Sequence, residues 1–277
     1  MTLSDFASNL GDTLKGIVKI AVSSRPTLNP DKETGRIIIL GNGPSLRQTI
    51  AEHSGVLSST PTMAVNFMAN APEFKALRPR YYILADPHFF TGTEHDNVRT
   101  LWKTLAEVDW PMTLFIPTSR LTAARQLTAG AGGNLTLSTF NFVGVEGFGW
   151  FERLAFGTGA AMPRPRNVLI PAIMCAIRMG FKDIDIVGAD HSWLETIRVT
   201  DENHVVSVQP HFYKDSGTEL KRSETEYRGY KLHDILRSFY IAFQSYHRLQ
   251  RFALSRGIRI NNATPGSYID AFPRKSL

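Results

Sequence analysis

Cysteine is almost missing from this 277-residue chain. Cys175 stands alone in an apolar helical run, so neither an internal disulfide nor a cysteine zinc site can be built. No stretch reaches the roughly eighteen uninterrupted apolar residues of a membrane span, and the N-terminus lacks the basic start and cleavage site of a signal peptide. Together these absences predict a cytoplasmic protein. A large charge excess is missing too. With 31 basic and 25 acidic residues the formal net charge is +6, too dilute for a dedicated nucleic-acid binder. It favours nucleotide-sized anions or acidic membrane surfaces, and no nucleic-acid partner is expected. Repeats and low-complexity tracts are also absent. What is present is 43% hydrophobic residues, enough for a full-sized core in one large α/β domain or two small ones.

The chain is organised around residues 36–46, Arg-Ile-Ile-Ile-Leu-Gly-Asn-Gly-Pro-Ser-Leu. Four successive branched aliphatic side chains suit a strand buried on both faces, as in a parallel sheet. Gly41 and Gly43 would leave room for a ligand to approach the backbone, and Pro44 and Ser45 stand where a helix begins. Free N–H groups at a helix start favour an anion such as a phosphate. No third glycine follows, so this is not the dinucleotide fingerprint, and no lysine makes it a P-loop. A tight turn without a ligand is the plain alternative.

Residues 1–35 read as an amphipathic helix and a proline-containing linker. Phe6, Leu10, Leu14, Ile17, Val18 and Ala21 recur at helical spacing with Lys15 and Lys19 among them. Such a helix packs on the domain or on a second subunit, or lies on a membrane surface. From residue 36 to 277 short apolar strands (62–66, 81–85, 112–116, 135–139, 184–187 and 258–261) alternate with helices (96–108, 120–129 and 167–179). The pattern predicts an α/β fold with a doubly wound, mostly parallel sheet. Polar residues 194–230 look like a lid. The helix after it carries Leu232, Ile235, Leu236, Phe239, Phe243, Tyr246, Leu249 and Phe252 on one stripe, read as core packing rather than a ligand box.

Ligands of such sheets bind at the carboxyl ends of strands, which here carry Asn42, Asn66, Asp86 and Asp190. Asp86 and Asp190 would hold Mg²⁺ against a diphosphate, bond sugar hydroxyls, or cap the next turn. Imidazole is an uncommon Mg²⁺ ligand, so His88 and His191 add nothing to the metal reading. His211, in the polar lid, is either a general base or a solvated side chain. The run Pro-Arg-Pro-Arg-Asn at 163–167 either converges on phosphates with the following helix N-terminus or is a solvated loop.

With these residues in place, the chain resembles the Rossmann-like superfamily of bacterial sialyltransferases, 6-hydroxymethylpterin diphosphokinase-like proteins and flagellin-glycosylation accessory proteins. The likeness runs from about Arg36 to Arg274 and is carried by Ile-Leu-Gly-Asn-Gly-Pro-Ser-Leu at 39–46, residues 167–190 ending in Gly-Ala-Asp, and Asn-Ala-Thr-Pro-Gly-Ser at 262–267. It implies a nucleotide site formed by Gly41, Asn42, Gly43, Pro44, Ser45, Asn66, Asp86, Asn167 and Asp190. Asn42 and Asn66 correspond to the family's nucleotide-contacting asparagines; the third such position is Asp86 here. Asn167 stands where the family has a hydroxyl residue. His211 corresponds to the histidine of a His-Tyr pair taken as catalytic base, although Phe212 follows it here. The sialyltransferases place phosphate-stabilising tyrosines after Gly-x-Asp, whereas this chain has His191, Ser192 and Trp193. Tyr213, Tyr227 or Arg164 would take over that role.

The resemblance implies an inverting glycosyltransferase with His211, Tyr213 and Arg164 as catalytic residues, a CMP-activated nonulosonate as donor, a surface glycan as acceptor, and no required cofactor. The alternative is a diphosphokinase with ATP at the same turn and Mg²⁺ on Asp86 and Asp190. A catalytically idle nucleotide-binding protein of polysaccharide assembly, joined through the N-terminal helix, is a third reading.

Overall fold

The computed structural model describes residues 2–207, 227 and 229–277. The chain opens with α1 (Leu3–Ser23), closed at its start by a reciprocal capping box between Thr2 and Asp5. Strands and helices then alternate through β1 (Arg36–Leu40), α2 (Ser45–Glu52), α3 (Ser54–Ser59), β2 (Thr62–Val65), α4 (Phe74–Leu77) and β3 (Tyr81–Ile83). They continue through α5 (His88–Thr91), α6 (Asp96–Ala106), β4 (Met112–Pro117), α7 (Leu121–Leu127) and β5 (Leu135–Phe140). Next come α8 (Gly149–Gly157), α9 (Leu169–Met179), β6 (Asp183–Val187), α10 (Trp193–Thr196) and a small antiparallel pair, β7 (Arg198–Val199) and β8 (Val205–Val206). The long α11 (Leu232–Leu254) and β9 (Arg259–Asn262) complete the order.

The main sheet has seven strands in the order β5-β4-β3-β2-β1-β6-β9, and every neighbouring pair is parallel. The chain winds outward from β1 to β5, then returns to lay β6 and β9 on the other flank of β1. This is the Rossmann-like, doubly wound α/β architecture the sequence predicts. Its order reverses between β1 and β6, and the crevice at that point is where such sheets bind ligands.

The unalternating β1 run has a simple cause. Ile37 and Ile39 face one core with α8, α9 and α11, while Ile38 and Leu40 face the other with α2, α3, α4 and α6. Both faces are covered, so neither tolerates polar residues. The α9 run Leu-Ile-Pro-Ala-Ile-Met-Cys-Ala-Ile is buried almost all round because α11 covers the side turned away from the sheet.

Residues 1–35 run along the domain and are held to it by specific contacts. Most of the apolar stripe of α1 faces outward, with Leu14 56% exposed and Leu10, Ile17 and Val18 exposed with it, while the Phe6 ring packs 5.3 Å from that of Phe148. The helix docks instead through Thr13, Gly16 and Ile20, with Thr13 Oγ1 accepting the Phe148 N–H at 3.0 Å and Gly16 against the Phe151 ring. Only a glycine lets the helix backbone come that close. The linker is also tied down. Thr139 N–H donates to Leu28 O at 3.0 Å, Ser138 Oγ donates to the same oxygen at 2.7 Å, and the Asn141 amide brackets Arg25.

Candidate functional site

A cavity of about 810 Å³ opens over the carboxyl ends of β1, β2 and β6, with α11 as its far wall. Gly41, Asn42, Gly43, Pro44, Asn66, Asp86, Arg164, Asn167 and Asp190 all line it, so nine of the sequence-derived positions converge on one space. Ser45 turns its hydroxyl toward Asp190 instead. His211 and Tyr213 lie outside the described residues.

The glycine turn serves the protein's own chain before it serves a ligand. Gly41 N–H donates to Val187 O and Gly43 N–H to Gly188 O, each at 2.8 Å, knitting the turn after β1 to the loop after β6. A Cβ on Gly41 would strike the Gly188 carbonyl, and one on Gly43 would strike the Asp190 carboxylate. The side of each glycine where a side chain would stand is therefore filled by the second loop, while both glycines still line the cavity. Asp190 goes further: Oδ1 accepts the Ser45 N–H at 3.2 Å and Oδ2 accepts its hydroxyl at 2.8 Å. The start of α2, expected to cradle a phosphate, is closed by an internal carboxylate. Burial raises the Asp190 pKa, and the two Ser45 bonds oppose that rise. From below, the 262–267 motif braces the same loop: Ala189 N–H donates to Thr264 Oγ1 at 3.1 Å and Ser267 Oγ donates to Ala189 O at 2.6 Å.

Asn42 is 9% exposed. Its Nδ2 donates to Val65 O at 3.0 Å, which fixes the amide orientation and leaves Oδ1 buried with no partner among the described residues. A buried acceptor without a donor is costly unless a ligand supplies one. Asn66, after β2, holds a left-handed φ of 51° while its carbonyl accepts the Tyr82 hydroxyl. Asp86 Oδ1 accepts the His88 N–H at 2.8 Å, the Asx turn that opens α5. For a Mg²⁺ site these carboxylates offer little: both Asp190 oxygens are engaged, which leaves Asp86 Oδ2. Among the described residues no set of three His, Cys, Asp or Glu side chains gathers around a common point. A cation here would be held by Asp86 and the phosphates of its ligand.

The facing wall is framed by a relay that sequence reasoning missed. Leu169 N–H donates to Asn167 Oδ1 at 3.0 Å, so that amide cannot be flipped. The Tyr246 hydroxyl donates to the same oxygen at 2.9 Å and must then accept from His191 Nε2 at 2.7 Å. His191 is thus the Nε2–H tautomer, with its lone pair on Nδ1. It is 7% exposed, and burial drives its pKa down to about 3. Burial pushes the Tyr246 phenol up, keeping it a donor. The imidazole stacks 4.2 Å from the Trp193 ring, which in turn packs 5.2 Å from Phe239. His191 itself sits at a left-handed φ of 55°, a strained position for a non-glycine residue.

The α11 stripe read as core therefore has two functions. Leu249 and Phe252 are core, but Ile235 and Phe239 line the cavity and the Tyr246 hydroxyl orients Asn167, while Leu236 is exposed. Arg237, on the same helix, also reaches the cavity. The sequence pointed to this wall through Asn167 and the 163–167 run and through His191 after β6; the bond that joins them through Tyr246 is what it did not show. Of the expected catalytic residues, Arg164 lines the cavity with its guanidinium 3.6 Å from Glu146, an ion pair shared with Arg248 at 3.9 Å.

Among solved structures, that of the MAf glycosyltransferase from Magnetospirillum magneticum AMB-1 matches 100% of this chain and 39% of its own, with a TM-score of 0.51 and 13% identity. The chain thus spans well under half of that protein, and at this identity the likeness is one of fold. No protein-family model and no curated protein matches the chain. Among the described residues no helix is long and apolar enough to cross a membrane.

Proposed function

We propose that the chain is an inverting glycosyltransferase that takes a nonulosonate of the sialic-acid type from its CMP-activated form and passes it to a glycan acceptor. The observation that carries this reading is the buried, unpartnered Asn42 Oδ1 in the wall of a cleft at the sheet's switch point. Such an oxygen is suited to the amine or hydroxyl donors of a nucleoside. The fold shared with a glycosyltransferase supports the reaction class.

In this mechanism Asn42, Asn66 and Asp86 hold the nucleoside. The acceptor hydroxyl attacks the anomeric carbon, the bond from that carbon to the phosphate oxygen breaks, and CMP leaves with the electron pair. His211 receives the acceptor's proton. Tyr213, Arg164 and the Asn167 end of α9 steady the charge on the departing phosphate. A nucleoside monophosphate leaving group does not demand a metal.

Thermal-shift measurements with CMP, CDP, UDP, GDP and ATP test the donor. A shift specific to cytidine nucleotides is expected, and no response to any of them would contradict a CMP donor. The free Asp86 Oδ2 favours one other reading, a Mg²⁺-dependent diphosphokinase with ATP in the same cleft. There chelation abolishes activity. The exposed stripe of α1 is the surface through which contact with a membrane or a second copy would run.

A further inference from the structure

We infer that the cleft accepts its ligand in one direction only, with the hydrogen-bond-donating part against the glycine turn and an oxyanion against Arg166 and Arg237. The two walls differ in hydrogen-bonding sense. On the glycine-turn side the groups left for a ligand are acceptors, the buried Asn42 Oδ1 and Asp86 Oδ2, beside the Asp190 carboxylate that closes α2. Phosphates and carboxylates only accept hydrogen bonds when ionised, and these groups repel them.

The opposite wall is the reverse. Asn167 Nδ2 is a buried donor with no partner among the described residues. Arg166, one residue before it, and Arg237, on α11, both line the cavity and both are exposed, with no acidic partner among the described residues. Of the other cavity and core arginines, Arg164 shares its charge with Glu146 and so adds less to the clasp, and Arg248 is paired with Glu152 and Glu146. Asp234, which lines the same wall, is turned back to accept the Lys231 N–H at 3.1 Å. Two unpaired guanidiniums reaching one space from different elements make an oxyanion clasp. The helix start that the sequence offered for this purpose is blocked by Asp190.

Identifying the donating part as a nucleoside rests on the proposed transferase reading; the oxyanion clasp does not. The oxyanion is a nucleotide phosphate or the carboxylate of an acidic sugar. Titration calorimetry on the full chain separates these sources, comparing wild type, R166Q/R237Q and R166K/R237K with inorganic pyrophosphate, CMP, cytidine and N-acetylneuraminate. Pyrophosphate affinity is expected to fall about tenfold or more in the glutamine variant and to recover in part with lysine. If the clasp holds the phosphate, CMP weakens in parallel while cytidine does not change. If it holds the carboxylate, N-acetylneuraminate weakens and CMP does not. Pyrophosphate binding that depends on the arginines, with no binding of CMP or cytidine, would end the transferase reading and leave the clasp standing. Anions that bind the glutamine variant as well as wild type, or that do not bind wild type, overturn the inference.

Discussion

Asp190 caps α2 through Ser45, accepting its N–H at 3.2 Å and its hydroxyl at 2.8 Å. One carboxylate thereby joins the loop after β6 to the helix after β1, across the point where the strand order reverses. Loss of the cap in Asp190→Ala should cost about 1–2 kcal/mol, and Asp190→Asn, which keeps an acceptor for the Ser45 N–H, should cost less. Denaturant midpoints of the two variants give the comparison. Equal losses would mean that the carboxylate charge, rather than the cap, matters.

Gly43 and Gly55 make a matched pair. A Cβ at Gly43 would collide with Asp190 and with the Gly188 carbonyl, whereas a Cβ at Gly55, in α3, meets open space. Gly43→Ala is expected to destabilise by about 1–3 kcal/mol through overpacking. Gly55→Ala is expected to be neutral or to stabilise by up to about 1 kcal/mol, because alanine loses less backbone entropy in a helix. Equal effects at the two sites, read from thermal melts, would contradict the interlocked loops.

Burial holds the His191 pKa at about 3, below its ordinary value of 6.5. The unfolded chain takes up a proton below pH 6.5 that the folded chain refuses until about pH 3. The stability due to a neutral His191 is therefore complete above pH 6.5 and is lost as the pH falls through that window, by up to about 1.4 kcal/mol per unit. Asparagine tolerates the left-handed φ and does not titrate. The stability difference between wild type and His191→Asn should then shrink steadily from pH 6.5 to pH 4. A difference independent of pH would show that folding leaves the His191 pKa unshifted.

Much of this architecture was legible in the chain. The β1 run and the alternation of strands and helices announce a parallel doubly wound sheet, because burial on both faces removes polar residues from the strands. The convergence of Asn42, Asn66, Asp86 and Asn167 followed from their places at element ends. What was not legible was which side chains use one another. Gly43 reads as space for a ligand until Asp190, far away in sequence, is seen to fill it. Tyr246 reads as one more aromatic in a core stripe, since its hydroxyl bond to Asn167 leaves no periodic mark. The packing face of α1 was hidden for a related reason: Thr13 and Gly16 dock through closeness of approach, not through hydrophobicity.

Metal dependence is open to a direct check. Among the described residues one carboxylate oxygen of Asp86 has no hydrogen-bond partner, and a leaving nucleoside monophosphate has no need of a cation. Nucleotide binding is expected to be unchanged in EDTA, and Asp86→Asn to weaken it by about 10- to 150-fold at most, the range of one hydrogen bond to a charged group. Complete loss in both cases would favour the Mg²⁺-dependent phosphotransferase.

The most direct measurement is a crystal structure of the chain with CMP. Cytidine is expected over the glycine turn, with an amine or ribose hydroxyl donating to Asn42 Oδ1, and the phosphate on the wall formed by Arg166, Arg237 and Asn167. A phosphate seated at the start of α2 over Ser45, or a cleft without CMP at saturating concentration, would contradict this placement.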